Sequence, residues 1–310
     1  MNDTAIIIVN WNQTALTLDT LASLEQAGVA LKQAWVVDNG SSPNPLPEIL
    51  TCFPSINPLR LDSNVGFAAG CNIGVAVAFQ AGAKAAFLLN NDALVETQTL
   101  PLLEAALRQF PTVAAVSPKV YFADTPCIIQ AVGIEVNPNS GQTVMLGSGE
   151  EDCGQYDKIV EREALFGCAL LIRREAWEQV GSFWEPFFCY CEEVDWCLRA
   201  RRLGWQLYSI PQAVVWHRAS SSLGRDAPLK IYLLVRNKFY LRQRHRQVGW
   251  QSWKGLLGAF YWHGRTILRY LRLQQKAQAW AIMLAIWDFY NKRRGNCRTS
   301  DLRLCKVQEE

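Results

Sequence analysis

Thr4-Ala5-Ile6-Ile7-Ile8-Val9 is an unbroken apolar run closed by Asn10-Trp11-Asn12. Its β-branched residues and lack of alternation predict a strand buried on both faces. A strand covered on both sides needs helices above and below it, which selects an α/β fold. The chain beyond it repeats the pattern. A helix pattern follows on Leu16, Leu18, Leu21 and Leu24, then a second short strand at Ala34-Trp35-Val36-Val37 that stops at Asp38-Asn39-Gly40-Ser41-Ser42-Pro43. Asn57 to Leu61 is a third strand and Ala85 to Leu89 a fourth, ending at Asn90-Asn91-Asp92. Strands alternating with helical stretches predict parallel pairing.

Asn10, Asp38 and Asp92 each follow an apolar strand. Ligands of open parallel sheets bind outside the carboxyl ends of the strands. One such residue is most simply a turn former; three together predict a site. Gly66, Gly70 and Gly74 are spaced GxxxGxxxG, which puts them along one helix face. This is not a dinucleotide-binding GxGxxG, so close helix packing and close ligand approach both remain open.

Residues 113–172 read as further strands with irregular links. They include a polar run from Asn137 to Asp157 expected to be a loop, and a strand over Leu165 to Ile172. Arg173 to Val180 is expected to be a short helix. In Phe187-Phe188-Cys189-Tyr190-Cys191-Glu192-Glu193-Val194-Asp195-Trp196, three carboxylates fall within four residues among apolar side chains. Poor solvation raises a carboxyl pKa and makes a better base. The plainer reading is a helix start with acids at its positive end and Asp195 paired to Arg199 one turn on. Trp205 to Ile210 and Ala213 to Trp216 are expected as two short strands, with His217 after the second.

The formal net charge of +3 hides an asymmetry. Residues 1–228 hold 14 Lys/Arg against 24 Asp/Glu, a net −10, and residues 229–310 hold 17 against 4, a net +13. The expected division is therefore a domain over 1–228 and a basic, aromatic-rich helical extension over 229–310. Trp250, Trp253, Trp262, Trp280 and Trp287 interleave with Lys and Arg there, which suits an anionic membrane surface. Packing on the first domain or on a second copy in a homo-oligomer is the alternative. No nucleic-acid motif appears. The start reads as a strand rather than a leader, and no apolar stretch nears the ~18 residues of a membrane span. Ten cysteines without paired CxxC spacing fit a reduced, cytoplasmic protein.

Read together, these pieces resemble family-2 glycosyltransferases of the GT-A fold, especially the bacterial rhamnosyltransferase-like branch. The motifs that carry the resemblance are Ile6-Ile7-Ile8-Val9-Asn10-Trp11-Asn12, Val36-Val37-Asp38-Asn39-Gly40-Ser41 and Asn64-Val65-Gly66-Phe67-Ala68-Ala69-Gly70-Cys71-Asn72. Leu88-Leu89-Asn90-Asn91-Asp92, Phe166-Gly167-Cys168-Ala169, Glu192-Glu193-Val194-Asp195 and Val215-Trp216-His217 complete the family's order over residues 4–218. The resemblance implies a Rossmann-like, mostly parallel sheet flanked by helices, and inverting transfer from a dTDP- or UDP-sugar to a glycan or lipid-linked hydroxyl. It implies donor binding by Val9, Asn10, Asp38, Asn64, Gly66, Asn72, Asn91 and Asp92. Asp38 would meet the pyrimidine, and Asp92 with His217 would hold Mg²⁺ or Mn²⁺. Glu193 is implied as the base, with Asp195 its competitor for the role. Asn90-Asn91-Asp92 carries one carboxylate where the family's motif has more, so the rival reading is a binding protein that kept the fold without catalysis. The implied location is the cytoplasmic face of the cell membrane, peripherally attached.

Overall fold

The computed structural model describes residues 3–137, 142–218, 227–245 and 253–297. The first strand forms as expected: β1 (Thr4–Asn10) is buried along its whole length. It pairs in parallel with β2 (Ala34–Asp38) and with β4 (Ala85–Leu89), and β3 (Asn57–Arg60) adds to β2, also parallel. Helices α1 (Thr14–Gln26), α2 (Leu46–Cys52) and α3 (Phe67–Gln80) connect these strands. Next come β5 (Ala93–Val95), α4 (Thr99–Gln109), β6 (Val113–Phe122), β7 (Thr125–Ala131), β8 (Ile134–Val136), β9 (Thr143–Met145) and β10 (Val160–Glu161). They are followed by β11 (Ala169–Arg173), α5 (Arg174–Val180), α6 (Glu192–Arg202) and β12 (Gln206–His217).

The main sheet runs β10-β12-β6-β11-β4-β1-β2-β3, with β5 on β12 and β7 on β6. Between β3 and β12 only β11 runs against its neighbours. Its reversal lets the segment before it, Phe166-Gly167-Cys168, arrive at the same sheet edge where β1, β2 and β4 end. Two local expectations change. The strands expected at 205–210 and 213–216 are one strand, β12, which carries an irregularity between Ile210 and Val214. The expected strand over 165–172 begins only at Ala169. The polar run 137–157, of which 138–141 lie outside the described residues, contains β9 and a bridge from Glu151 to Ile128.

Helix α3 explains the glycine row. A Cβ at Gly74 would stand 2.5 Å from Ile7 Cγ2 and 3.0 Å from Val37 Cγ2, and one at Gly70 would stand 3.0 Å from Val9 Cγ1. The two glycines let the helix lie directly on β1 and β2, so packing accounts for them. Gly74→Ala is expected to cost about 1–3 kcal/mol, because both neighbours are core side chains with little room to shift. Urea unfolding checks this; a variant as stable as the parent would mean that the helix can lift off freely.

By contacts the chain divides into two compact units. One comprises residues 1–135, 144–184 and 193–219, and the other 136–143, 185–192 and 220–310. The second unit is built on α7 (Pro228–Arg244), α8 (Trp253–Arg272) and α9 (Lys276–Tyr290), with α9 packed on both other helices. Its core joins Tyr232, Leu233, Val235 and Phe239 of α7 to Ala281, Ile282, Leu284 and Ala285 of α9. No helix among the described residues is long and apolar enough to cross a membrane.

Candidate active site

Asn10, Asp38 and Arg60 are register partners at the ends of β1, β2 and β3. In-register side chains on neighbouring strands share one face, so the three meet. Asn10 is fully buried, and its Nδ2 donates to Asp38 Oδ1 and to Ser41 Oγ, each at 3.3 Å. Its Oδ1 accepts from Thr17 Oγ1 at 3.0 Å and more weakly from Asn91 Nδ2 at 3.5 Å. The Asp38 carboxylate also accepts from the Ser41 hydroxyl and forms an ion pair with Arg60. Three of the candidate donor residues, Asn10, Asp38 and Asn91, are thus one network. Arg60 escaped the sequence reading, although it ends its strand just as Asp38 ends the one before. A base docking on Asp38 must share that carboxylate with the Arg60 guanidinium.

Asn64 lies beside this network. Its Oδ1 accepts from Asn39 Nδ2 at 3.0 Å and from the Gly66 amide at 2.9 Å, while Asn39 Oδ1 accepts the Val65 amide at 3.0 Å. Gly66 enters α3 with φ 96°, and Gly40 turns with φ +73° where a Cβ would lie 2.4 Å from Ser63 backbone. Both need glycine. Val9 packs its side chain under Gly70, and Asn72 faces elsewhere: its amide brackets the backbone of Phe183, donating to the carbonyl at 3.0 Å and accepting the amide at 2.9 Å.

A second group forms where β4 ends. Antiparallel pairing of β5 with β12 sets Ala93 opposite His217, and the Arg218 amide donates to the Asp92 carbonyl. The side chains follow the backbone: His217 Nε2 is 3.0 Å from Asp92 Oδ1 and 3.2 Å from Asn90 Nδ2. On the other side of the ring, Nδ1 is 2.9 Å from Gln130 Oε1. Burial works against the imidazolium, but the neighbouring Cys168 sulfur and the Asp92 carboxylate outweigh it, and the pKa of His217 stands well above the ordinary value. Burial pushes the Cys168 thiol up. Gln130 was also missed. Its signal was one polar residue inside the apolar run Cys127 to Ala131.

Asp92 and His217 suit a divalent cation in a particular way. A carboxylate and an imidazole are hard-to-borderline donors, and Gln130 can hold the Nδ1–H so that Nε2 faces the carboxylate. Among the described residues, however, no group of three or more His, Cys, Asp or Glu could hold a metal ion. The pair alone supplies two protein ligands, so a cation here would need further oxygen ligands from elsewhere.

Glu193 and Asp195 have different surroundings. Asp195 is fully buried and pairs with Arg199 Nε at 2.9 Å, and Arg199 also caps the Ser182 carbonyl at 2.8 Å. Glu193 is largely buried, and its Oε2 is enclosed with no hydrogen-bond partner among the described residues. Burial raises its pKa to about 7, against the opposing pull of the amides of Glu193 and Val194. The side chain lies over Gly167, where a Cβ would stand 3.0 Å from Glu193 Cγ. The Phe166 ring sits edge-on to His217 at 6.0 Å, and the Cys168 carbonyl accepts the Asn90 amide at 2.9 Å. Phe166-Gly167-Cys168 therefore touches Glu193 on one side and the Asp92–His217 pair on the other. Just before α6, Phe188, Tyr190 and Cys191 all have φ between 67° and 74°. Left-handed backbone at bulky residues costs about 1–3 kcal/mol each and persists only where the surroundings enforce it.

Residues 5–175 match the protein family described as Glycosyl transferase family 2. N-acetylglucosaminyl-diphospho-decaprenol L-rhamnosyltransferase of Mycobacterium tuberculosis is 25% identical over 74% of this chain and 80% of its own length. Low-salt glycan biosynthesis hexosyltransferase Agl10 of Haloferax volcanii is 24% identical over 77% of this chain and 75% of its own. Among solved structures, GalNAc-T7 with UDP, GalNAc and Mn²⁺ superposes with TM-score 0.57 at 16% identity, covering 69% of this chain and 42% of that one. The mannosyltransferase PcManGT from Pyrobaculum calidifontis, in complex with GDP-Man and Mn²⁺, superposes with TM-score 0.54 at 13% identity, covering 93% and 87%. At these identities the two structures speak for the fold alone.

Proposed function

Since the chain belongs to glycosyl transferase family 2 and is a glycosyltransferase of GT-A fold, we propose that it transfers a sugar from a dTDP- or UDP-sugar, with inversion, to a hydroxyl of a lipid-linked glycan. Glu193 is the general base in this reading. The acceptor oxygen attacks the anomeric carbon, the bond from that carbon to the diphosphate breaks, and the hydroxyl proton passes to the Glu193 carboxylate. An enclosed carboxylate with a pKa near 7 is ionised often enough to accept a proton and basic enough to hold it. Asn10, Asp38, Arg60, Asn64, Gly66 and Asn91 form the nucleotide end of the site. Asp92 and His217 would hold Mg²⁺ or Mn²⁺, and the cation would supply positive charge against the diphosphate. The catalytic part is assigned to 1–228 and the extension to 229–310.

The observation that carries this reading is the position of Phe166-Gly167-Cys168 against both Glu193 and the Asp92–His217 pair. Rhamnose is the sugar proposed, and a polyprenyl-diphosphate glycan the acceptor, from the named activity of the mycobacterial relative. Screening nucleotide sugars for thermal stabilisation with Mn²⁺ tests it, since only ligands that prefer the native state raise the melting temperature. dTDP-rhamnose is expected to stabilise. If no nucleotide sugar does, with or without metal, the donor reading fails.

The acceptor bears on the second unit. Trp280, Met283, Trp287 and Tyr290 stand exposed on α9 at spacings of three and four residues, so they share one helix face. Tyr261, Leu268 and Leu271 of α8 are exposed as well, among the exposed Arg265, Arg269, Arg272 and Lys276. Trp250 lies outside the described residues, as do the side chains of Trp253 and Trp262. Asp288 is the one acidic residue of the sequence between 229 and 297, and it is buried. Aromatic side chains set among cations fit an anionic lipid surface, whereas two like-charged faces would repel each other in a self-dimer. We assign this surface to peripheral attachment at the inner face of the membrane. Replacing Trp280 and Trp287 by Ser is expected to weaken binding to phosphatidylglycerol vesicles about tenfold for each, from roughly 1.4 kcal/mol of lost apolar transfer apiece. High salt should weaken it further. Flotation checks this, and a parent protein that ignores anionic vesicles at low salt would sink the assignment.

A further inference from the structure

The loop before Glu193 is held from α7. Asn237 is fully buried, and its Nδ2 lies 2.9 Å from the Phe187 carbonyl, 2.8 Å from that of Cys189 and 2.9 Å from that of Tyr190. One amide group thus gathers three carbonyls of a segment in which Phe188, Tyr190 and Cys191 are all left-handed. The orientation of the amide is set by its neighbour. Arg236, also fully buried, donates to Asn237 Oδ1 from Nε at 3.1 Å and from Nη2 at 2.9 Å. Its Nη2 reaches the Phe187 carbonyl as well, at 3.1 Å, and its Nη1 reaches the Gly295 carbonyl and, at 3.2 Å, the Tyr232 hydroxyl. Tyr232 in turn donates to Asp288 Oδ2 at 2.8 Å, where Arg293 binds the other oxygen at 3.1 Å. The Gly295 amide closes the ring on the Pro186 carbonyl at 2.9 Å.

A buried guanidinium and amide spent on backbone carbonyls are costly to keep unless the conformation they enforce is needed. That conformation is one the loop residues would not adopt alone, since none of the three is glycine. The chain then runs from Cys191 through Glu192 into α6, whose second residue is Glu193. Where the loop ends decides where that helix begins, and therefore where the carboxylate stands. We propose that Arg236 and Asn237 are positioning residues for the transfer reaction: from α7 they set the left-handed Phe187–Cys191 loop and through it the place of Glu193. The proposal rests on the reading of Glu193 as the base.

The test is a double-mutant cycle in the full chain. It follows turnover of dTDP-rhamnose with N-acetylglucosaminyl-diphospho-decaprenol, or of whichever donor and acceptor the parent protein uses. Asn237→Ala is expected to lower kcat about 10²-fold, the scale of a displacement of about 1 Å at the reacting atoms. Donor KM should stay unchanged and the acid limb of the kcat–pH profile should move. In a Glu193→Gln background the same change should have little further effect, because it acts through the carboxylate already removed. Asn237→Asp keeps the volume but cannot donate, and should behave alike. If Asn237→Ala does not melt cooperatively, Arg236→Lys, which keeps the charge and loses the fork, takes its place in the same cycle. A folded variant with parental kcat would overturn the proposal, and so would a loss that recurs in full without Glu193. Near-parental turnover in Glu193→Gln alone would instead remove the base reading, a separate outcome.

Discussion

Glu193→Gln is expected to lose transfer by about 10²–10⁴-fold while binding donor like the parent, the usual cost of removing a general base. Gln matches Glu in size but cannot take the proton. Two pH signatures accompany the loss. With the native pKa raised to about 7 from an ordinary 4.5, the parent's turnover should climb through pH 7 as the carboxylate ionises. Stability should move the other way. Between pH 4.5 and 7 the native state binds the proton that the unfolded state has released, so this group's contribution to stability falls as pH rises across that window. Against the parent, the Gln variant should therefore gain in melting temperature at pH 8 and gain nothing at pH 4. Asp195→Asn, which breaks the buried pair with Arg199, should instead lose stability at neutral pH. Near-normal turnover in Glu193→Gln, with loss in a folded Asp195→Asn, would exchange the two roles.

Asp92→Ala should abolish metal-dependent donor affinity and leave the fold intact. The two donor groups at the end of β4 are a carboxylate and an imidazole 3.0 Å apart, and among the described residues no group of three or more His, Cys, Asp or Glu could hold a metal there. The parent should therefore bind Mn²⁺ weakly alone and tightly with donor, each raising the affinity of the other by the same factor. Removing Asp92 leaves one ligand and ends that coupling. Calorimetric titration of dTDP-rhamnose with and without Mn²⁺ reads it directly. A variant whose donor affinity still rises with metal as the parent's does would show that the cation sits elsewhere.

The parts of this fold readable in the sequence are those set by neighbours along the chain. The β-branched run Thr4 to Val9 and the turn residues after Val37 and Leu89 mark three parallel strands and their ends, because burial on both faces and turn chemistry are local demands. The pairing of Asp195 with Arg199 was visible for the same reason, as it needs one helical turn. The helices Pro228–Arg244 and Lys276–Tyr290 fall in the stretch whose composition predicted a helical extension.

Contacts between distant segments were not readable. Arg60 reaches Asp38 from the neighbouring strand, and Gln130 reaches His217 across 87 residues. Neither leaves a periodic mark, because each depends on which strands become neighbours. The glycine row stayed ambiguous until Ile7, Val9 and Val37 were seen beneath it. Most of all, Glu193 lies over Gly167 of another segment and follows a loop in which Phe188, Tyr190 and Cys191 hold left-handed backbone against their preference. Local propensity speaks against such a loop, so the sequence could identify an acidic helix start and nothing about its entry. Asn237, dozens of residues downstream, supplies the hydrogen bonds that make the conformation tolerable, and only the folded chain brings it there.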